Sequence, residues 1–226
     1  MKDTGISDRL REDAGGIWEQ IFTHPFVIEL YGGSLPLEKF RFYALQDYNY
    51  LVTDIKNLAI LASRAGSVGA MKEILEIAHL EATSEFQSYE RLLSELGYTI
   101  EDAIKTEPTA VNTSYGAFLI ATSSLATFGE GLAATLPCLW SYQEIAERHR
   151  DKLAGNKNDL YTRWASVYLS ADYRQLVEKM KSLLDEAIGV DYGKLREAFI
   201  TASRYEYLYW DMAYGTMGWQ IPSAPA

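Results

Sequence analysis

Cysteine occurs once in this chain of 226 residues, at Cys138, so no intramolecular disulfide can form and a reducing compartment is the simplest setting. Proline is scarce at 6, and the 16 glycines do not cluster, so no low-complexity linker divides the sequence. Positive charge is in deficit. Lys plus Arg number 21 against 31 for Asp plus Glu, a net charge of −10, which argues against nucleic acid and anionic membrane surfaces as partners. Long apolar runs are missing too. Stretches such as Leu58 to Ala62 fall far short of the ~20 residues of a membrane span. The opening MKDTGISDRLRED is polar and charged and does not read as a signal peptide.

What is present is helical spacing. Apolar residues are 48% of the chain, too many for disorder, and recur at i, i+3 and i+4 nearly throughout, with no convincing strand alternation. The expectation is an all-α bundle in one domain, residues 1–226, with a core from about 7 to 217 and a short C-terminal tail. The spacing predicts helices near 7–22, after Pro25, from Pro36 to about Arg64, from Ser67 to Leu96 with Gly97 as the stop, and after Thr99. Further helices are expected over 109–127, 130–153, 158–169, 172–188 and 192–217.

Two of these helices carry an acid on the apolar stripe. In the first, Phe40, Tyr43, Ala44, Tyr50, Leu51, Ile55 and Leu58 form the stripe, and Asp47 falls on it. In the last, Leu195, Phe199, Ala202, Tyr209 and Ala213 enclose Glu206. An inward carboxyl is costly unless it is paired or hydrogen-bonded. Structural acids, general acid/base groups and metal ligands are all consistent with this pattern. Cys138 follows Pro137, which cannot donate to the carbonyl of Ala133 and should kink the helix. The cysteine shares a face with Ala134, Tyr142 and Ile145, so it is either a small packed hydrophobe or a nucleophile with an adjacent base. Tyrosine is abundant at 16, enough to line an aromatic slot for a planar heterocycle as well as a core.

Other signals are weaker. Glu76 and His79 form one Glu-x-x-His pair, but a di-iron bundle requires two such pairs and two more acids. His24 is a candidate axial ligand for haem. Gly129-Glu130-Gly131 has no preceding strand and is not a dinucleotide fingerprint.

Several strings in order resemble the TenA (thiaminase II) family of aminopyrimidine aminohydrolases. They are His24-Pro25-Phe26-Val27, Gly33-Ser34-Leu35-Pro36, Gln46-Asp47-Tyr48-Asn49-Tyr50-Leu51, Leu136-Pro137-Cys138-Leu139-Trp140-Ser141-Tyr142, Tyr161-Thr162-Arg163-Trp164 and Glu206-Tyr207-Leu208-Tyr209-Trp210-Asp211-Met212-Ala213. The resemblance implies a haem-oxygenase-like helical fold, a cytoplasmic homotetramer, and no metal or organic cofactor. It also implies hydrolysis of 4-amino-5-aminomethyl-2-methylpyrimidine in thiamine salvage, with thiamine itself as a second candidate substrate. Cys138 matches the family's nucleophile and Glu206 its acid/base. Asp47 matches the aspartate that holds the pyrimidine and supports the thiol, and Tyr50, Tyr115, Tyr142 and Tyr168 match tyrosines around the ring. The chain departs from the pattern where a histidine often follows a glutamate by one turn, here Glu85 then Tyr89, and where Phe-Trp is usual, here Tyr209-Trp210. The competing expectations are a haem or di-iron oxygenase, or a non-catalytic regulator, on the same fold.

Overall fold

The structure is a computed structural model that describes residues 5–187 and 189–221, without the side chains of Ser84 and Glu85. The expected helix end at Ile188 and the end of the tail lie outside the described residues. Among those described, every regular element is helical.

The expected first helix is two, α1 (Ile6–Asp13) and α2 (Gly15–Phe22). Gly15 and Gly16 are poor helix formers, and the break at Ala14 turns Trp18, Ile21 and Phe22 into the core. After α3 (Pro25–Gly32), Gly33 takes the left-handed conformation at φ +80° that glycine tolerates best. The long α4 (Leu37–Arg64) starts one residue after Pro36. The expected helix over 67–96 is α5 (Val68–Leu80), a π turn over Glu81–Glu85, and α6 (Phe86–Glu95). The π turn admits an extra residue and shifts the inward face between its two flanks. Gly97, at φ +87°, stops α6 as expected.

The short α7 (Ile100–Lys105) opens on the reciprocal cap of Thr99 and Asp102. Then come α8 (Ala110–Leu125) and α9 (Phe128–Arg148), which opens earlier than expected because Thr127 and Glu130 form a second reciprocal cap. Pro137 lies inside α9 without interrupting it. His149 separates α9 from α10 (Arg150–Ala154), and its Nε2 lies 2.8 Å from the Phe22 carbonyl oxygen. The chain closes through α11 (Asp159–Ser166), a 3₁₀ turn at Val167–Leu169, α12 (Ala171–Asp185) and α13 (Tyr192–Gly215).

Helices α4, α8, α9 and α13 form the frame. α13 packs most extensively on α9, α4 packs on α5 and α8, and α12 covers the other side of α9. One continuous apolar core runs through them. Trp18 joins α2 to α13, stacking on Phe199 at 6.0 Å while its indole N–H donates to Ser203 Oγ at 2.9 Å.

The close approach of α9 to its neighbours depends on Gly131. A Cβ there would lie 2.5 Å from Leu61 Cδ2 and 3.3 Å from the Ser123 backbone. Gly131→Ala should therefore destabilise by about 1–3 kcal/mol through overpacking. Gly16→Ala, where a Cβ meets nothing within 4 Å, should stabilise by about 0.5–1 kcal/mol. Paired urea melts check both signs, and a stabilising Gly131→Ala would contradict the packing described.

Candidate active site

A cavity opens between the four frame helices, and all seven residues expected at the site line it. Asp47 and Tyr50 come from α4, Tyr115 from α8, Cys138 and Tyr142 from α9, Glu206 from α13, and Tyr168 from the 3₁₀ turn. The structure adds residues that were not expected at the site. Tyr43 and Asp54 of α4, Glu81 of the π turn and Tyr209 of α13 also line the cavity.

Asp54 is the clearest omission. The predicted stripe stepped from Leu51 to Ile55, whereas the structure buries Asp54 to 1% exposure and leaves Ile55 half-buried. Seven residues at 100° each return to within about 20° of the start, so Asp54 sits almost directly above Asp47. The i, i+7 spacing of two acids was the available signal.

At one end of the cavity Tyr89 donates its hydroxyl to Asp47 Oδ2 at 2.9 Å, and also approaches the Ala44 carbonyl oxygen at 3.0 Å. Tyr89, read from sequence only as a departure from a family pattern, is thus the partner that satisfies Asp47. Burial pushes Asp47 up to about 7, against the hydrogen bonds from Tyr89 and Tyr43 that hold it down. The Tyr43 and Tyr142 hydroxyls lie 3.0 Å apart. Tyr43 stacks on Trp210 at 5.6 Å, and Tyr142 meets Tyr168 at 4.9 Å. This end is an aromatic box with one carboxyl on its wall.

At the other end Tyr115 donates to Glu206 Oε1 at 2.6 Å. Burial raises Glu206 to about 8. The Tyr115 hydrogen bond opposes that shift, and the Asp47 and Asp54 charges add to it. Glu206 is therefore mostly protonated at neutral pH and can donate a proton. The Cys138 thiol is likewise pushed well up, first by burial and then by the Glu206 and Asp54 charges, while Tyr50 favours the thiolate. The charges that act on the thiol are Glu206, Asp54 and Glu81. Asp47 accepts from Tyr89 and is not among those charges.

Asp54 and Glu81 are hydrogen-bonded to each other. Asn57 donates to Asp54 Oδ1 at 3.1 Å and to Thr135 Oγ1 at 2.8 Å, and accepts from Ser123 Oγ at 2.6 Å. Asn57 is fully buried and so locks the Asp54 side chain.

The histidine candidates lie elsewhere. His24 Nδ1 accepts from the Phe26 N–H at 3.1 Å as the cap of α3, and its Nε2 lies 3.7 Å from Asp211. His24 thus serves as the cap of α3 and does not line the cavity. His79 is exposed, and Glu76 pairs with Lys179 at 2.9 Å on the outer surface. The Glu85 side chain, the other half of the Tyr89 departure, lies outside the described residues.

A family model described as the TENA/THI-4/PQQC family matches residues 11–216. An aminopyrimidine aminohydrolase from Halalkalibacterium halodurans is 30% identical over 214 residues, covering 93% of this chain and 96% of that protein. A solved TenA homologue from P. horikoshii OT3 is 49% identical with a TM-score of 0.91, covering 93% of this chain and 99% of that one. A domain with a heme oxygenase-like fold from Shewanella denitrificans OS217 superimposes with a TM-score of 0.77 at 16% identity, covering 93% of this chain and 92% of that one, a likeness of fold alone.

The raised Glu206 carries a stability signature. Between its ordinary value of 4.5 and about 8 the folded protein holds a proton that the unfolded chain has released. Stability should therefore fall as pH rises through that window, and Glu206→Gln should flatten the slope. Melting temperatures of both proteins across the window check this, and equal slopes would mean Glu206 ionises normally.

Proposed function

Because the chain belongs to the TENA/THI-4/PQQC family, we propose that it hydrolyses 4-amino-5-aminomethyl-2-methylpyrimidine to the 5-hydroxymethyl compound and ammonia, with Cys138 as nucleophile and Glu206 as acid/base. The observation that carries this reading is one cavity holding a thiol beside a protonated carboxylic acid, with an aromatic box and a second carboxyl opposite.

The aminopyrimidine ring binds in the cavity lined by Tyr50, Tyr115, Tyr142 and Tyr168, with Asp47 facing its exocyclic amine and ring nitrogen. The Cys138 sulfur adds to the ring carbon beside a ring nitrogen, forming the C–S bond. The ring electron pair then moves to the 5-position and forms an exocyclic alkene as the C–N bond breaks. Glu206 gives its proton to the departing amine, which leaves as ammonia. Water adds to the exocyclic methylene and returns a proton to Glu206, and the ring expels the sulfur and regains aromaticity. Splitting one poor displacement into addition and elimination steps is what a covalent nucleophile provides.

Thiamine is the second candidate substrate, since its thiazolium could leave from the same methylene. The proposal extends to a cytoplasmic homotetramer that serves thiamine salvage. Among the described residues no helix is long and apolar enough to cross a membrane.

Cys138→Ser should abolish ammonia release from the aminomethylpyrimidine while leaving the helical circular dichroism unchanged. Near-normal turnover would rule out covalent catalysis. Asp47→Asn should weaken pyrimidine binding by roughly 10- to 150-fold, the worth of a charge-assisted hydrogen bond. An unchanged kcat/KM accompanied by a lower melting temperature would instead make Asp47 a purely structural acid.

A further inference from the structure

The reaction above leaves one proton unassigned. Cys138 is a thiol in the resting protein, and its proton must go somewhere as sulfur attacks. Glu206 already carries a proton and is needed as the acid. Asp47 is assigned to the ring and is not among the charges that act on the thiol. The cavity-lining acids that remain are Asp54 and Glu81.

We propose that the hydrogen-bonded Asp54–Glu81 pair takes the Cys138 proton as the sulfur attacks and returns it when the sulfur is expelled. The assignment rests on the reading of the site given above and completes its proton balance. Glu206 gives a proton to the leaving amine and takes one from water. The pair takes one from the thiol and gives it back. The sum is amine plus water going to alcohol plus ammonia, with no oxidant or other co-reactant.

The geometry suits the role. Two hydrogen-bonded carboxyl groups must share a proton, so the singly protonated pair holds one negative charge and can accept one more proton. Asn57 fixes the Asp54 oxygen through its amide N–H, and its own amide is held by Thr135, which accepts from the nitrogen, and Ser123, which donates to the oxygen. Thr135 lies one helical turn before Cys138, and so ties the base to the helix of the nucleophile. Glu81 comes from the π turn, a distortion that recurs at functional sites. Independently, the Tyr209 hydroxyl lines the same cavity at 4% exposure and has no hydrogen-bond partner among the described residues, as expected of a group that waits for a ligand.

The test uses Asp54→Asn and Glu81→Gln in the full chain, with ammonia release, equilibrium binding of the hydroxymethylpyrimidine product, and alkylation of Cys138 by iodoacetamide. Asp54→Asn should lower kcat at least ~10²-fold. Product Kd should stay within about threefold. Alkylation should be no slower than in wild type, because removing a negative charge beside the thiol favours its thiolate. A kcat within about threefold of wild type would overturn the proposal. So would a parallel loss of product binding, the mark of a merely structural acid. If Asp54→Asn does not fold, the same criteria apply to Glu81→Gln. A wild-type protein that releases no ammonia from the aminomethylpyrimidine would sink the proposed function itself. An active wild type with an equally active Asp54→Asn sinks only the assignment of the pair.

Discussion

Four carboxyl groups, Asp47, Asp54, Glu81 and Glu206, lie inside a helical core, each less than a tenth exposed. Taking a carboxylate out of water is so unfavourable that each must be protonated, hydrogen-bonded or both. The surroundings answer that demand one acid at a time. Tyr89 donates to Asp47, Tyr115 to Glu206 and Asn57 to Asp54, and Glu81 shares a hydrogen bond with Asp54. The partners come from α4, α6 and α8, so the acids dictate how these helices approach one another. The same desolvation raises the proton affinity of Asp47, Asp54 and Glu206 toward the neutral range, where such groups can exchange protons.

The aromatic residues set the medium in which this happens. Tyr43, Tyr142, Trp164, Tyr168 and Trp210 meet in stacked, tilted and edge-on contacts with centroids 4.9 to 6.2 Å apart. They exclude water from one end of the cavity and present flat faces to a planar ligand. They also keep the local dielectric low, which strengthens every charge interaction at the thiol. Burial in this medium holds Cys138 as a neutral thiol, which limits its reaction with oxidants.

Much of this was legible in the residues. Asp47 and Glu206 interrupt regular apolar stripes, and a buried acid on a stripe is conspicuous at helical period. Asp54 was not read, because Ile55 beside it satisfied the pattern equally well, and a stripe drawn through apolar residues passes over a second inward acid. The π turn was invisible for a related reason. Residues 67–96 keep helical spacing on both sides of Glu81, and one extra residue per turn changes which side chain faces inward without breaking the pattern. Leu10 and Trp18 fit a single amphipathic helix, which masks the break at Ala14 that Gly15-Gly16 marks. Tyr89 and Asp47 are 42 residues apart in sequence, and their hydrogen bond arises only from packing of α6 against α4.

In the proposed reaction Cys138 forms a covalent bond to the pyrimidine within a cavity whose acids manage the protons. The most direct measurement is intact-protein mass spectrometry after rapid acid quench of Glu206→Gln with the aminomethylpyrimidine, followed by peptide mapping. In that variant the thiol and its base remain, while the proton for the leaving amine is withheld. A pyrimidine adduct is expected on the peptide carrying Cys138, present within the first turnover and absent from the Cys138→Ser protein. A wild-type protein that turns over substrate normally after its Cys138 has been fully alkylated, with no adduct on that peptide, would contradict it.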